Sequence, residues 1–330
     1  MPSKKVLTKS LFLAHLSLLT ATIIWAAAGP VIKVTLEYLP TFTFLLFRFL
    51  LVGLLLLPFI LLELKRNPID RRDLINLFLL GLLGQSSIAF IFEGLKYTSA
   101  LDSAIIGVLT PLMAIAAGHY FFKEKINKFV KTGVLVATLG SVVVALEPIL
   151  NEGIFNQDTK IRLWGNFLVI VYNFSFLIYI IWSKISLGQT SPIIKKSLHF
   201  IHLKPMRKNY STFLMIGTSF YVGLATMIPL ALAENLGLFG PINLDIANLP
   251  PGPILGVLYM SLLSSIVAYM LFDWALNTHS MGDTAIYSYL APIFTLPFAY
   301  VMISEIPTKF ALIGSAVIAI GVIIAEHKKS

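Results

Sequence analysis

The sequence predicts an all-α polytopic membrane protein, with ten transmembrane helices in two inverted five-helix repeats. Three observations predict it. Of 330 residues, 57% are hydrophobic and only 12% are charged, where a soluble globular chain carries about 25% charged residues. Ten apolar runs approach the roughly 20 residues that cross a bilayer core as a helix. The chain also matches itself at a fixed offset, at residues that apolar bias does not align. So few charges cannot cover a water-facing surface of this size, which excludes a soluble enzyme and a disordered chain. The absence of cysteine excludes disulfides, thiolate zinc sites and cysteine catalysis.

In chain order the runs are 11–33, 41–62, 74–95, 99–122, 130–147, 163–183, 211–233, 253–275, 280–303 and 308–326. The first follows Lys4, Lys5 and Lys9, as a signal peptide would. It is too long for one, no small-residue cleavage site ends it, and further runs follow. It reads as a first span that doubles as the insertion signal. With the N-terminus inside, nineteen Lys and Arg fall in inner segments and five outside: Lys33, Lys96, Lys160, Arg162 and Lys309. That asymmetry is the positive-inside pattern. Both termini are expected in the cytoplasm, with the plasma (inner) membrane as the default location. The net charge of +9 then orients loops, and no nucleic-acid partner is expected. The long inner loop at about 184–209 reads as a solvated basic linker, and His199 and His202 within it lack a carboxylate or thiolate companion.

An offset of 181 residues aligns Leu95–Gly140 with the second half without a gap. Asp102 meets Asp283, Pro111 meets Pro292, Glu124 meets Glu305, Gly133 meets Gly314 and Gly140 meets Gly321. A weaker match pairs Val52–Gly53 with Val222–Gly223. The two units are expected at 1–147 and 148–330. Five spans is an odd number, so the second unit enters the membrane upside down. Inverted repeats characterise alternating-access transporters, with the substrate near mid-depth where the halves meet.

The stretch from Gly94 to Ala100, with Thr110–Pro111, Phe122 to Glu124, Gly133 and Gly140, resembles the EamA-type repeat of the drug/metabolite transporter superfamily. Phe272 to Ala275, Ala291–Pro292, Glu305, Gly314 and Gly321 resemble it a second time. The resemblance implies ten helices in two inverted halves, and a central cavity lined chiefly by helices 1, 3, 4, 6, 8 and 9. It also implies export of metabolites as the commoner role. The chain departs from the pattern in its long inner loop, and in lacking near Asn173 the counterpart of Trp25.

Polar residues inside a membrane are expensive and mark function by default. The candidate substrate-binding residues are Asn173, Gln85, Trp25, Ser86, Ser264, Ser265, Tyr287 and Tyr289. The amides offer donors and acceptors to a neutral or zwitterionic solute, while Trp25 and Tyr287 can form aromatic walls. Bonding between helices is the alternative role for each. Pro111 and Pro292 remove backbone hydrogen bonds and are candidate hinges. Glu93, Asp273 and His119, near span ends, are candidates for coupling or gating, since a partly buried carboxylate or imidazole titrates near neutrality. Asp102 and Asp283 read as caps of the helices they start, and Glu124 and Glu305 as caps of the helices that follow. Arg48 lies about 10 Å into its span, and a structural pairing is expected for it.

No basic clamp for a polyphosphate is visible. No H-E-x-x-H, G-x-S-x-G or P-loop is present. The reading is therefore not an enzyme but a secondary transporter or exchanger of a small neutral, zwitterionic or amphipathic metabolite. It needs no cofactor and no metal, and its partners are that substrate and the bilayer. A flippase of the same fold is the alternative; a membrane enzyme would need a clustered constellation, and a channel a repeated polar ring.

Overall fold

The structure, a computed structural model, describes residues 4–123, 127–153, 156–186, 204–208, 210–240, 248–276, 287 and 289–326. Among them there are helices and turns but no strand. We number the helices α1 (Lys4–Leu36) and α2 (Thr41–Arg66), then α3 (Leu74–Leu95) and α4 (Ala100–Phe122). Next come α5 (Lys128–Ala145), the short α6 (Glu147–Glu152), α7 (Gln157–Ser186) and α8 (Thr212–Asn235). The series ends with α9 (251–276), α10 (Ala291–Ile303) and α11 (Lys309–Glu326). Among the described residues eight helices are long and apolar enough to cross a membrane: α1 to α5 and α7 to α9. The helices α10 and α11 are shorter but apolar. The chain is an all-helical polytopic membrane protein. The run expected at 280–303 begins outside the described residues.

Local chemistry sets the helix ends. Ser99 Oγ accepts from the Asp102 N–H at 2.8 Å, Asn127 Oδ1 from the Val130 N–H at 2.8 Å, and Ser211 Oγ from the Leu214 N–H at 3.2 Å. Each satisfies an N–H that the first helical turn leaves without a partner. Two helices end on left-handed residues, α4 at Lys123 (φ 58°) and α10 at Ser304 (φ 52°). That conformation closes a helix but is rarely adopted outside glycine. Among the described residues these are the two non-glycine positions that adopt it.

The helices pack in a specific order: α5 on α11, α2 on α8, α1 on α9 and α10, and α7 on α3 and α4. Between α2, α3 and α8 lies an aromatic centre of fully buried Phe44, Phe49, Phe92 and Phe220. Phe44–Phe92 and Phe49–Phe220 meet edge to face at 5.1 and 5.8 Å, the geometry that ring quadrupoles favour. Large apolar side chains such as Leu54, Leu61, Leu232, Val301 and Ile323 point outward and are exposed, as a hydrocarbon solvent requires. Lys33, Glu37, Lys96 and Glu305 share one end of the bundle, called below the Lys33 face.

Candidate functional site

Four of the polar candidates sit where the helical ladder is widened. Gln85 and Ser86 lie in a π-helical turn of α3, Leu82–Ser86, and Ser264 and Ser265 in one of α9, Tyr259–Val267. A π turn re-aims the side chains beyond it, and such turns occur frequently at functional sites. Ser86 Oγ meets Thr226 Oγ of α8 at 2.7 Å. Gln85 is buried, its Oε1 has no partner, and it packs beside Gly223 and Phe49. The Ser264 carbonyl accepts from Trp25 Nε1 at 3.1 Å, tying α1 to α9. The Trp25 ring in turn meets Tyr269 at 5.4 Å and Phe272 at 5.2 Å.

Into this group projects a residue that sequence reasoning assigned elsewhere. Arg48 of α2 is 3% exposed. Its Nε donates to Ser265 Oγ at 2.9 Å. That hydroxyl donates onward to the Met260 carbonyl at 2.7 Å, across the π turn. The guanidinium carbon stands 5.7 Å from the Phe49 ring centre and 5.5 Å from that of Phe92. Tyr172 of α7 and Tyr269 of α9 are the titratable groups that act on it. Among the described residues no carboxylate pairs with it; the hydrogen-bonded partner is the Ser265 hydroxyl on α9. The available signal was a lone cation inside the apolar run 41–62; Tyr172 and Tyr269 carried none, because aromatic residues in a span usually pack.

The remaining candidates make other contacts. Asn173 of α7 is buried and bridges helices: its Oδ1 accepts from Thr110 Oγ1 of α4, and its Nδ2 donates to the Val169 carbonyl. Tyr287 meets His15 of α1 at 2.6 Å. Tyr289 packs against the apolar cluster of Ile105, Ile106 and Leu112. His119 is half-buried near the Phe122 end of α4. Pro111 follows a break at Val108, between the helical stretches Ala100–Gly107 and Leu109–Phe122. Pro292 lies in the first turn of α10 after a turn at Leu290, where its missing N–H costs nothing. The side chain of Asp273 lies outside the described residues, as do Glu124, Asp283, His199 and His202.

Glu93 belongs to the Lys33 face. Its Oε2 accepts from Thr41 Oγ1, and its Oε1 accepts from Lys96 Nζ and the Tyr97 hydroxyl, both at 3.0 Å. Glu305 caps a helix, but across the bundle and not its own successor: its carboxylate accepts the N–H groups of Ala100 and Leu101 at 3.0 and 2.7 Å. Glu234 does the same for Phe42 and Thr43 at the start of α2. Arg162 holds three carboxylates, those of Asp102, Glu147 and Glu152, the first two buried. Asp102 is thus an ion-pair partner as well as a first-turn residue. Two cavities, of about 290 and 510 Å³, open on this face and share Lys33 and Lys96. Among the described residues no group of three or more His, Asp or Glu could hold a metal ion.

The model of the EamA-like transporter family matches residues 12–146 and again 196–325. An uncharacterized transporter of Archaeoglobus fulgidus is 27% identical over 316 residues, covering 96% of this chain and 98% of its own. The transporter YdfC of Bacillus subtilis, also described as uncharacterized, is 24% identical over 300 residues, covering 91% and 86%. A solved crystal structure of an 18% identical protein superposes with a TM-score of 0.56, covering 94% of this chain and 97% of that one. At that identity the likeness shows the fold alone.

Proposed function

We propose a specific activity for this chain, which belongs to the EamA-like transporter family: secondary transport or exchange of a small neutral, zwitterionic or amphipathic metabolite by alternating access. Family membership makes the protein a transporter and not an enzyme; the substrate class, the mechanism and export as the direction are our reading. In it, ten spans form two inverted units, 1–147 and 148–330, with both termini cytoplasmic in the plasma membrane.

The carrying observation is the packing of α5 on α11. Gly133 lies against Gly321 and Gly140 against Gly314, so the helices run antiparallel. The offset of 181 maps Gly133 onto Gly314 and Gly140 onto Gly321. Each glycine therefore meets the counterpart of the other, as a two-fold axis in the membrane plane requires. The other contacts follow the same rule. The α1 contacts with α9 and α10 correspond to those of α7 with α3 and α4, and the α2–α8 contact is its own counterpart. The left-handed caps Lys123 and Ser304 are likewise 181 residues apart. The paired π turns bring polar groups to equivalent heights of α3 and α9, which favours Gln85, Ser86, Ser264 and Ser265, with Trp25, as the substrate-facing set. Asn173, Tyr287 and Tyr289 complete the proposed lining. In this reading the hinges are Pro111, after the break at Val108, and Pro292, after the turn at Leu290, and Glu93, Asp273 and His119 are the coupling or gating groups.

Counterflow into proteoliposomes tests this reading. The full chain is reconstituted and assayed with amino acids, nucleosides, organic cations, sugar phosphates and nucleotide sugars. Saturable exchange of one neutral or zwitterionic class is expected. Exchange confined to phosphorylated compounds would overturn the substrate class. Scrambling of a fluorescent phospholipid with no solute exchange would replace the reading by a flippase.

A further inference from the structure

We propose that Arg48 is the anchor for a carboxylate group of the transported molecule, so that the substrate class narrows to monocarboxylates and amino-acid-like zwitterions. The inference rests on the transport reading above and names the chemistry of that same site.

The argument begins with what Arg48 lacks. A guanidinium carries five N–H donors and cannot shed its charge. Nε is satisfied by Ser265. The two terminal amino groups have no protein acceptor among the described residues. They are not among the sealed polar atoms that lack partners, a set that includes Gln85 Oε1 and Trp182 Nε1. They therefore keep a small accessible surface, although the residue as a whole is 3% exposed. A charge inside a membrane that neither snorkels nor pairs lines a pathway. Arg48 lies about 10 Å along α2 from Thr41 by the helical rise, too deep to reach the interface easily.

The neighbouring carboxylates are engaged or distant. Glu93 follows Phe92, whose ring flanks the guanidinium, yet its oxygens are taken by Thr41, Lys96 and Tyr97. Asp273 is on α9 with Ser265, but about 12 Å farther along the helix. Asp102 and Glu147 are held by Arg162.

The surroundings fix the fork. The Ser265 hydroxyl is itself held by the Met260 carbonyl, and the Phe49 and Phe92 rings stand on the guanidinium. The side chain is thus oriented before any ligand arrives. Two free amino groups in one plane match the two oxygens of one carboxylate. A single cation does not match a polyphosphate, which agrees with the absence of a basic clamp.

The test compares acids with their own amides. Leucine and leucinamide, phenylalanine and phenylalaninamide, and benzoate and benzamide are each added to the purified full chain, and thermal shift and counterflow are read. Sodium chloride and sodium phosphate serve as inorganic controls. Wild type, Arg48→Lys and Arg48→Met are compared. The expected result is a response to at least one acid and not to its amide. It should be at least tenfold weaker in Arg48→Lys, which keeps the charge and loses the fork, and absent in Arg48→Met. Without ligand, Arg48→Met should melt no lower than wild type, since it removes an unpaired buried charge.

Equal responses to acid and amide, or acid responses that survive in Arg48→Met, would overturn the anchor while leaving transport intact. So would an Arg48-dependent shift produced by chloride or phosphate alone. Loss of fold in Arg48→Met, together with a wild-type acid response in Arg48→Lys, would make the residue a structural cation. A protein that exchanges nucleosides or cations but no acid would also overturn the anchor; one that exchanges no solute of any class would take the transport reading down with it.

Discussion

A Cβ placed on Gly133 would stand 2.4 Å from the carbonyl oxygen of Gly321. The α5–α11 interface is therefore backbone against backbone, and its closeness depends on the absence of side chains. Small residues allow such approach between membrane helices, where van der Waals contact drives association.

Substituting Gly133 or Gly321 by valine should push these helices apart. Overpacking of a well-packed contact costs about 1–3 kcal/mol, and the clash with backbone places these variants at the upper end. The melting temperature of detergent-purified protein reads the effect. Gly252→Ala is the control, because nothing lies within 4 Å of its Cβ position. A wild-type melting temperature for Gly133→Val would refute the close contact.

Arg162 should be intolerant of removal for an electrostatic reason. Asp102 and Glu147 are buried and both pair with it. Breaking a buried pair from one side costs about 3–5 kcal/mol, because the other charge stays uncompensated. Arg162→Leu should therefore express poorly. Adding Asp102→Asn and Glu147→Gln should recover a substantial part of the loss. A triple variant no better than Arg162→Leu would show that packing, and not charge, is at stake.

The loop after α2 is joined to the segment before α8 through Tyr210. Its hydroxyl donates to Asp73 Oδ2 at 2.7 Å and accepts from the Asp70 N–H at 3.0 Å. Burial, and then the Asp73 carboxylate, push this phenol above its ordinary value, against the lowering effect of the Asp70 N–H. A raised value in the folded state stabilises the protonated form. That stability is fully present below the unfolded value near 10 and is lost as pH rises through the folded one. Tyr210→Phe should lower stability by about 1–2 kcal/mol at neutral pH and flatten the alkaline limb of the melting-temperature profile. An unchanged alkaline limb would assign that limb to other groups.

The chain has no cysteine, so single cysteines report topology without background. In right-side-out vesicles, Glu37→Cys should react with a membrane-impermeant maleimide, and Lys65→Cys only after permeabilisation. The reverse pattern would invert the orientation that the loop charges predict.

Much of the architecture was legible in advance for simple reasons. An apolar run near 20 residues has one stable fate in a bilayer, so α2, α3 and α8 fall within a few residues of their runs. Gly133, Gly140, Gly314 and Gly321 stood out in the offset match because apolar bias does not align glycines. The site was less legible. Depth along a helix placed Gln85 and Ser264 among the candidates, but it carries no information on which side chains face one another.

Composition and run length thus determined by themselves that this is a helical membrane protein, and the repeated special residues are the basis on which paired units are proposed. The tertiary structure alone decided the partners. It put Glu305 on the start of α4 and Asn173 on Thr110. It widened α3 and α9 into π turns, and it turned Arg48 towards Ser265 between two phenylalanine rings. The physical reason is that helix formation is local and read along the chain. Whether a buried charge meets a carboxylate or a hydroxyl depends on how helices from distant parts of the sequence are rotated against each other.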